Sequence, residues 1–169
     1  MTTQIVPDVA AVRDIVAAVP DPELPMITIG DLGILRDVSV DEDGHIEVVI
    51  TPTYSGCPAM DAIRSDIEER LAANGWQDVT ITLRLAPPWT TDWITQEGRD
   101  ALHEYGIAPP SPLATGKPPP GPVPLTLSVR CPRCGSADTY EISRFGSTAC
   151  KALWTCRVCR EPFDHLKAI

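Results

Sequence analysis

The architecture of the N-terminal half follows from residues 21–63, DPELPMITIGDLGILRDVSVDEDGHIEVVITPTYSGCPAMDAI. Prolines hold the start of this stretch in a loop, and the chain becomes strand-like over Ile34–Val40. A second strand is predicted over His45–Thr51, because its apolar side chains alternate along one face. The turn between the strands contains Gly44, which can adopt a positive φ. The pattern predicts a β-hairpin followed by a loop and a helix.

Helical and strand periodicities continue on both sides of this hairpin. Asp8 is a favourable N-cap for a helix that ends before Pro20. A second helix is predicted to start at Pro58, followed by a strand over Val79–Leu85 and a short helix over Ile94–Tyr105. The buried face of the second helix is predicted to consist of Met60, Ile63, Ile67 and Leu71. The order α-β-β-α-β-α predicts a compact α/β (α+β) domain of two layers.

Cys57 is the chemically most distinctive residue of this half. It precedes the second helix, where backbone N–H groups and the helix dipole stabilise a thiolate, so we expect its pKa to fall. Hydroxyl groups at Thr51 and Thr53 share its loop. Judged by position alone, a lone cysteine here is more often a small buried side chain. Asp21 and Glu23 are a second group of polar residues close together in the sequence. Judged by position alone, Asp21 caps a turn and Glu23 lies in solvent.

A resemblance to the SufT/MIP-type family rests on two stretches, DPELPMITIGDLGILRDVSV and TPTYSGCPAMDAI. Members of that family act in iron–sulfur cluster assembly and transfer. The resemblance covers residues 8–90 and implies an α/β fold in which Cys57 is the functional thiol. It also implies that the acidic residues near position 21 form a functional loop. The candidates for binding iron, a cluster or a persulfide are then Cys57, Asp21, Glu23, Thr51 and Thr53.

The C-terminal part contains two Cys-x-x-Cys pairs, Cys131 with Cys134 and Cys156 with Cys159. The pairs are 21 residues apart, close to the usual spacing of a zinc ribbon. Each pair can bend into a knuckle, so the four thiolates predict a closed, structural zinc site. Rubredoxin-like iron or a cluster could use the same thiolates. Disulfides need an oxidising compartment, for which the sequence gives no signal.

Other residues of the ribbon leave alternatives open. Gly135 suits the turn after the first knuckle, whereas Arg160 stands at the equivalent place after the second. Three roles are open for Cys150: a sulfur relay, a ligand that exchanges with the cysteines of the knuckles, or a buried thiol. The buried thiol is the commonest role of a cysteine in such a position. Three aromatic residues are predicted to form either the core of the ribbon or a docking face: Phe145, Trp154 and Phe163. Five basic residues either meet an acidic partner or solubilise the ribbon: Arg144, Lys151, Arg157, Arg160 and Lys167.

Charge and proline content divide the chain. Residues 1–107 have a net charge of −13, and residues 108–169 have a net charge of +4. Eight of the 18 prolines lie in residues 108–124, APPSPLATGKPPPGPVP, which predicts an extended linker. We therefore expect a SufT/MIP-type domain over 1–107, a Pro-rich linker over 108–124 and a four-cysteine zinc ribbon over 125–169.

The ribbon sequence RFGSTACKALWTCRVCREPFDHLK, joined through this linker to the first domain, resembles the PaaD (PaaJ) family. Members are small subunits of the ring-1,2-phenylacetyl-CoA epoxidase system of aerobic phenylacetate breakdown. The resemblance implies two partners, a di-iron oxygenase component and a reductase carrying flavin and a [2Fe–2S] cluster. Cluster-assembly proteins and a second copy of the chain are further candidates. The SufT-like domain implies maturation of a metal centre, and a purely structural subunit is the alternative.

Several function classes are disfavoured by what the sequence lacks. It contains no catalytic triad, no phosphate-binding glycine loop, no pair of EXXH motifs such as a di-iron site uses and no dinucleotide fingerprint. A non-catalytic role is therefore expected, with thiol or persulfide chemistry at Cys57 as the enzymatic alternative. The net charge of −9 opposes binding to nucleic acid or anionic lipid. No apolar run is long enough for a transmembrane helix, and the N-terminus lacks signal-peptide features, so we expect a cytoplasmic protein.

Overall fold

The computed structural model describes residues 6–54, 56–110 and 129–167. The helices are α1 (Val9–Ala17), α2 (Ala59–Ala73) and α3 (Gln96–Glu104). The strands are β1 (Leu35–Val40), β2 (Ile46–Ile50), β3 (Val79–Leu83), β4 (Ile107–Ala108), β5 (Thr139–Ser143), β6 (Lys151–Cys156) and β7 (Pro162–Leu166). None of the described helices is both long and apolar enough to span a bilayer.

The chain divides into two compact units, Met1–Gly98 and Arg99–Ile169. In the first unit, β1 and β2 form the predicted antiparallel hairpin, and β3 pairs with β2 in parallel to give the order β1-β2-β3. The helix α2 makes the crossover between the two parallel strands, as such a connection requires. The predicted α/β architecture and its element order are confirmed.

The core of the first unit is formed by the apolar faces that the periodicity predicts. Val12 and Val16 of α1 are fully buried, as are Ile46 and Val48 of β2. The four residues predicted for α2 are buried as well: Met60, Ile63, Ile67 and Leu71. Each fully buried aliphatic side chain contributes about 1.5–3 kcal/mol relative to an exposed one. This packing holds the ends of the sheet strands, and the loops that leave them, in place.

The loop before β1 is fixed by Asp31. Its Oδ2 accepts a hydrogen bond from Thr28 Oγ1 at 2.8 Å, and its Oδ1 accepts one from Thr95 Oγ1 at 2.9 Å. Gly33 adopts a φ of 72°, and a Cβ there would lie 2.5 Å from the Cβ of Trp93. Both carboxylate oxygens of Asp31 therefore serve the fold, and only glycine fits the turn that follows it.

The second unit contains a sheet of order β4-β7-β6-β5. Strands β5, β6 and β7 are antiparallel, whereas β4 joins β7 in parallel, with Ile107 opposite Asp164 and Ala108 opposite His165. This pairing places residues 107 and 108 in the sheet of the ribbon, although the sequence-based boundary falls at 107. The predicted Pro-rich linker lies outside the described residues from position 111 onward.

Some element ends differ from the predicted ones. Strand β3 ends at Leu83 rather than Leu85, because its partner β2 ends at Ile50, and Leu85 is exposed. Pro58 is the N-cap of α2, whereas the sequence places it at the first helical position. These shifts are small, because periodicity locates the buried face of an element better than its ends.

Candidate functional site

The four predicted zinc ligands converge in the second unit. The sulfur atoms of Cys131, Cys134, Cys156 and Cys159 all lie within 4.8 Å of one another. The Sγ atoms of Cys131 and Cys159 are 3.7 Å apart, and those of Cys134 and Cys156 are 3.6 Å apart. Sulfurs bonded at about 2.3 Å to one tetrahedral zinc ion are roughly 3.8 Å apart. The donor set therefore fits a tetrahedral metal ion.

The two knuckles close by the same backbone turn. The N–H of Gly135 donates to the carbonyl of Cys131 at 2.8 Å, and the N–H of Arg160 donates to that of Cys156 at 3.0 Å. Gly135 has a φ of 72° and Arg160 a φ of 65°. The second knuckle thus adopts the left-handed conformation although it carries arginine where glycine is expected.

Charge is distributed unequally within the cysteine cluster. The pKa of Cys156 is lowered to about 7, chiefly because the backbone N–H of Cys159 points to its sulfur, and this outweighs the effect of burial. A backbone hydrogen bond at Glu161 lowers the pKa of Cys159, but burial and the neighbouring sulfurs together raise it to about 12. A divalent cation would displace the remaining protons, because it binds thiolates rather than thiols.

The three aromatic residues of the ribbon have different positions. One buried apolar cluster contains Ala108, Cys131, Cys156 and Phe163. Trp154 packs against this cluster and meets the ring of His165 edge-on, with centroids 5.9 Å apart. Phe145 is 71% exposed, so it belongs to the surface, whereas Phe163 belongs to the core.

Residues just after α3 complete the ribbon, a contribution that the sequence analysis missed. His165 Nδ1 lies 3.1 Å from the carbonyl oxygen of Ala108, and Arg99 Nη1 donates to the carbonyl of Pro110 at 2.8 Å. Burial lowers the pKa of His165, so the neutral ring is favoured, with its Nδ1–H donating to Ala108. Strand β4 has two residues and pairs with residues of β7 that lie 57 positions further along the chain. So short a strand has no periodic pattern from which it could have been predicted.

Cys57 lies half-buried in the loop between β2 and α2. Its N–H donates to the carbonyl of Tyr54 at 3.1 Å, and its own carbonyl accepts from Met60 at 3.4 Å. The helix begins at Ala59, after an N-cap, Pro58, that makes no side-chain capping bond. The thiol therefore stands just before the first turn of α2, on a segment that water can reach.

Thr51 is the buried polar residue at the base of the Cys57 loop. It is 2% exposed, and its N–H donates to the carbonyl of Ile34 at 2.8 Å. Its Oγ1 has no hydrogen-bond partner in the described part of the protein, whereas Thr53 is half-buried. An unsatisfied buried hydroxyl costs about 1–3 kcal/mol, so it marks a place that a ligand or water would occupy.

Asp21 closes a turn, as its position suggests. It is 6% exposed, and its Oδ1 accepts the backbone N–H groups of Glu23 at 2.8 Å and of Leu24 at 2.9 Å. Glu23 is half-buried. One oxygen of Asp21 is therefore committed to the loop, and the carboxylate of Glu23 is the more accessible of the two.

Backbone hydrogen bonds link the acidic turn to the Cys57 loop. The N–H of Ile29 donates to the carbonyl of Val19 at 2.8 Å, and the N–H of Ile34 donates to that of Ile29 at 2.9 Å. Since Ile34 in turn accepts from Thr51, a short bonded path joins the two loops. Both loops are thus held by the same end of the hairpin.

These loops do not form a closed chelate. Among residues 6–54, 56–110 and 129–167, one group of three or more His, Cys, Asp or Glu side chains could share an ion, and that group is the four-cysteine cluster. The Cys57 loop and the acidic turn are connected through these backbone bonds, and the described residues bring no three ligand atoms together there.

Comparison with known proteins covers both halves of the chain. A family model described as "Iron-sulfur cluster assembly protein" matches residues 9–83, and one described as "PaaD zinc beta ribbon domain" matches residues 117–167. A protein of Escherichia coli (strain K12), named as a putative subunit of 1,2-phenylacetyl-CoA epoxidase, is 46% identical over 163 residues, which cover 96% of this chain and 94% of that protein. The chain belongs to the PaaD family. The resemblance to PaaD proteins is thereby confirmed.

Other relatives share the first half of this PaaD family member. An "Fe-S protein maturation auxiliary factor" of Porphyromonas gingivalis (strain ATCC BAA-308 / W83) is 35% identical over 88 residues, 52% of this chain and 80% of that protein. The crystal structure of "Domain of Unknown Function DUF59 from Bacillus anthracis" is similar with a TM-score of 0.53 and 29% identity, covering 56% of this chain and 90% of that chain. The first unit therefore has the SufT-like fold that the two quoted stretches implied.

Proposed function

We propose that this chain is a non-catalytic accessory subunit of the ring-1,2-phenylacetyl-CoA epoxidase system, and that it assists maturation of a di-iron or iron–sulfur centre of that system. Support comes from the similarity to the putative epoxidase subunit of Escherichia coli and from the match of residues 9–83 to the iron–sulfur assembly model. The observation that carries the site assignment is the buried, unpartnered hydroxyl of Thr51 at the start of the loop that contains Cys57.

In this proposal, iron or a cluster edge is the cargo, and Cys57 holds it as a thiolate. The half-exposed position of Cys57 lets a client protein reach the bound species. Glu23 supplies a carboxylate oxygen or takes the thiol proton, while Asp21 keeps the acidic turn in shape. When the cargo is a cluster, the hydroxyls of Thr51 and Thr53 donate hydrogen bonds to its sulfide atoms.

Transfer is then a ligand exchange without a change in oxidation state. The bond between iron and Cys57 Sγ breaks as a ligand of the client binds the iron. The client ligand releases its proton on binding, and the Cys57 thiolate takes up a proton on release.

We assign zinc to the four-cysteine cluster, with rubredoxin-like iron as the alternative for the same thiolates. A zinc ion bound there would cross-link the two knuckles and leave no open coordination position. No two of the six cysteines are joined in a disulfide, which suits the reducing cytoplasm as the compartment. The proposed partners are the oxygenase or reductase component of the epoxidase and cluster-assembly proteins.

A structural subunit with no role in metal transfer is the second candidate. It is favoured by one observation, namely that the described residues bring no three ligand atoms together at Cys57. Such a subunit would stay bound to the oxygenase at fixed stoichiometry. It would tolerate the loss of the Cys57 thiol, so one substitution separates the two functions.

The test replaces Cys57 by Ala in cells that produce all components of the epoxidase. We expect the variant to fold, because Cys57 is only half-buried, and the iron or acid-labile sulfide content and activity of the purified epoxidase to fall roughly tenfold or more. Cys150→Ala is the matched control, since Cys150 is the other cysteine outside the zinc cluster. A fully loaded and active epoxidase with the Cys57 variant would leave the structural subunit as the better account.

A further inference from the structure

The loop between β5 and β6 presents its one aromatic side chain to solvent. Phe145 is 71% exposed, the largest exposed fraction of any large apolar side chain in the described part of the chain. Single exposed apolar side chains are common on protein surfaces, so the significance of this ring depends on the groups around it.

Hydrogen bonds show that this exposure is not the result of a loose loop. Ser143 Oγ accepts the N–H of Phe145 at 3.1 Å and donates to the carbonyl of the same residue at 2.9 Å. The N–H of Gly146 donates to the carbonyl of Lys151 at 2.8 Å. The backbone on both sides of the ring is thus tied to the sheet.

A partly buried ion pair holds the other side of the same loop. Lys151 is 6% exposed, and its Nζ lies 3.2 Å from Asp164 Oδ2. Ser147 Oγ donates to the same carboxylate oxygen at 3.4 Å. A Cβ on Gly146 would lie 3.0 Å from Asp164 Oδ1, so the loop lies directly on this pair. Phe145 is therefore a preorganised anchor, and little conformational entropy is lost when a partner covers it.

One cation lies close to the exposed ring, and a second precedes it in the sequence. Lys167 Nζ lies 5.1 Å from the centroid of Phe145 and donates to the carbonyl of Arg144 at 3.2 Å. The side chain of Arg144 is 86% exposed, and its Nε lies 3.9 Å from Oε1 of Glu141. An aromatic anchor with two cations beside it complements an apolar pocket that has carboxylates at its edge.

Further apolar side chains are exposed on β5, the edge strand of the sheet that leads into this loop. Tyr140 is 45% exposed and Ile142 is 53% exposed. Arg157 lies over the Tyr140 ring, 5.0 Å from its centroid. The same combination of apolar and cationic groups is therefore repeated beside the loop. We call this area the Phe145 surface; it consists of Tyr140, Ile142, Arg144, Phe145 and Lys167.

We propose that the Phe145 surface docks one protein component of the epoxidase, at an apolar pocket rimmed by carboxylates. This inference rests on the proposed function, because the component bound is the client that receives the metal centre. Phe145 enters the pocket, and the two flanking cations meet its acidic rim. The ribbon thereby acts as a recognition module, separate in role from the Cys57 loop.

The experiment measures binding of the full-length, metal-loaded chain to the purified oxygenase and reductase components. Phe145→Ala should weaken binding to one of them about tenfold or more, as for a buried aromatic hot spot. Tyr105→Ala is the matched control, since Tyr105 is a 65% exposed aromatic outside the surface, and it should bind as the wild type does. Arg144→Glu should also weaken binding and reduce its dependence on salt.

Metal content and melting temperature of the Phe145 variant should stay at the wild-type values, because the ring is not part of the core. Equal binding of Phe145→Ala and wild type to both components would overturn the proposal, and so would a wild type that binds neither. Phe145-dependent binding to anionic vesicles instead of protein would overturn it as well. Cys57→Ala should bind normally, so a failure of docking and a failure of metal transfer give different results.

Discussion

Arg160 adopts a backbone conformation that usually requires glycine. Its φ of 65° matches the 72° of Gly135 in the first knuckle, and its N–H makes the equivalent bond to Cys156. A left-handed conformation at a residue other than glycine costs on the order of 1–3 kcal/mol and persists only where the surroundings impose it. Here the two cysteines of the knuckle impose it, because both sulfurs must face the same point.

The candidate site was predictable at the level of single residues only in part. The four zinc-type cysteines follow from their spacing, and the turn-capping role of Asp21 follows from its position before Pro22. The missing partner of Thr51 Oγ1 does not follow from any local pattern. Whether a hydroxyl is satisfied depends on atoms that other parts of the chain bring near it.

Replacing Thr51 by Val removes the unpartnered hydroxyl and keeps the shape of the side chain. We expect the free energy of unfolding to rise by about 1 kcal/mol, because a buried polar group without a partner is lost. Maturation of the epoxidase should fall at the same time if the hydroxyl contacts the cargo. Chemical denaturation measures the first effect, and the iron content of the client measures the second.

Thr28→Val provides the matched control, because Thr28 Oγ1 donates to Asp31 at 2.8 Å. This substitution should destabilise the protein by about 1 kcal/mol, since it breaks a satisfied bond. Equal losses of stability in the Thr51 and Thr28 variants would mean that both hydroxyls are satisfied.

At the level of elements, the short strand β4 is the part that local sequence does not reveal. Hydrophobic periodicity was sufficient to predict α1, α2 and the hairpin, because each of these elements repeats its apolar residues over several helical turns or strand pairs. β4 has two residues, Ile107 and Ala108, and its identity comes from pairing with β7. Ala108 is 1% exposed and packs with Cys131, Cys156 and Phe163, so this strand supports two of the four predicted metal ligands.

Replacing Ala108 by Asp should therefore loosen the metal site. A carboxylate placed against the ring of Phe163 is buried without a partner, which costs several kcal/mol. We expect zinc release to a chelator to become at least about tenfold faster. Ala137→Asp makes the same change at an exposed position of the ribbon and should release zinc at the wild-type rate. Equal release rates for the two variants would show that β4 does not support the site.

At the level of the whole molecule, the two units are stabilised by different means. The core of the first unit is aliphatic and contains fully buried side chains of α2, such as Ile63 and Ile67. The core of the ribbon includes Cys131 and Cys156, which are buried and belong to the four-cysteine cluster that could hold a metal ion. A unit of this size buries little apolar surface, so a bound metal supplies much of its stability.

Removal of the metal should therefore unfold one unit and spare the other. In the chelator-treated full-length protein, we expect residues 129–167 to lose their protection against hydrogen exchange, while β2 and α2 keep theirs. Adding zinc should restore protection. If α2 also lost its protection in the chelator-treated protein and regained it when zinc was added, the first unit would depend on the ribbon.

The sequence by itself determined the α/β order of the first unit, the hairpin, the buried face of α2 and the four ligands of the ribbon. These features depend on period and spacing within short segments, which the chain carries locally. Tertiary structure alone decided that β4 joins the ribbon, that Phe163 is buried while Phe145 is exposed, and that Thr51 lacks a partner. Each of these depends on which distant groups meet, because burial and hydrogen bonding are properties of pairs of segments rather than of one segment.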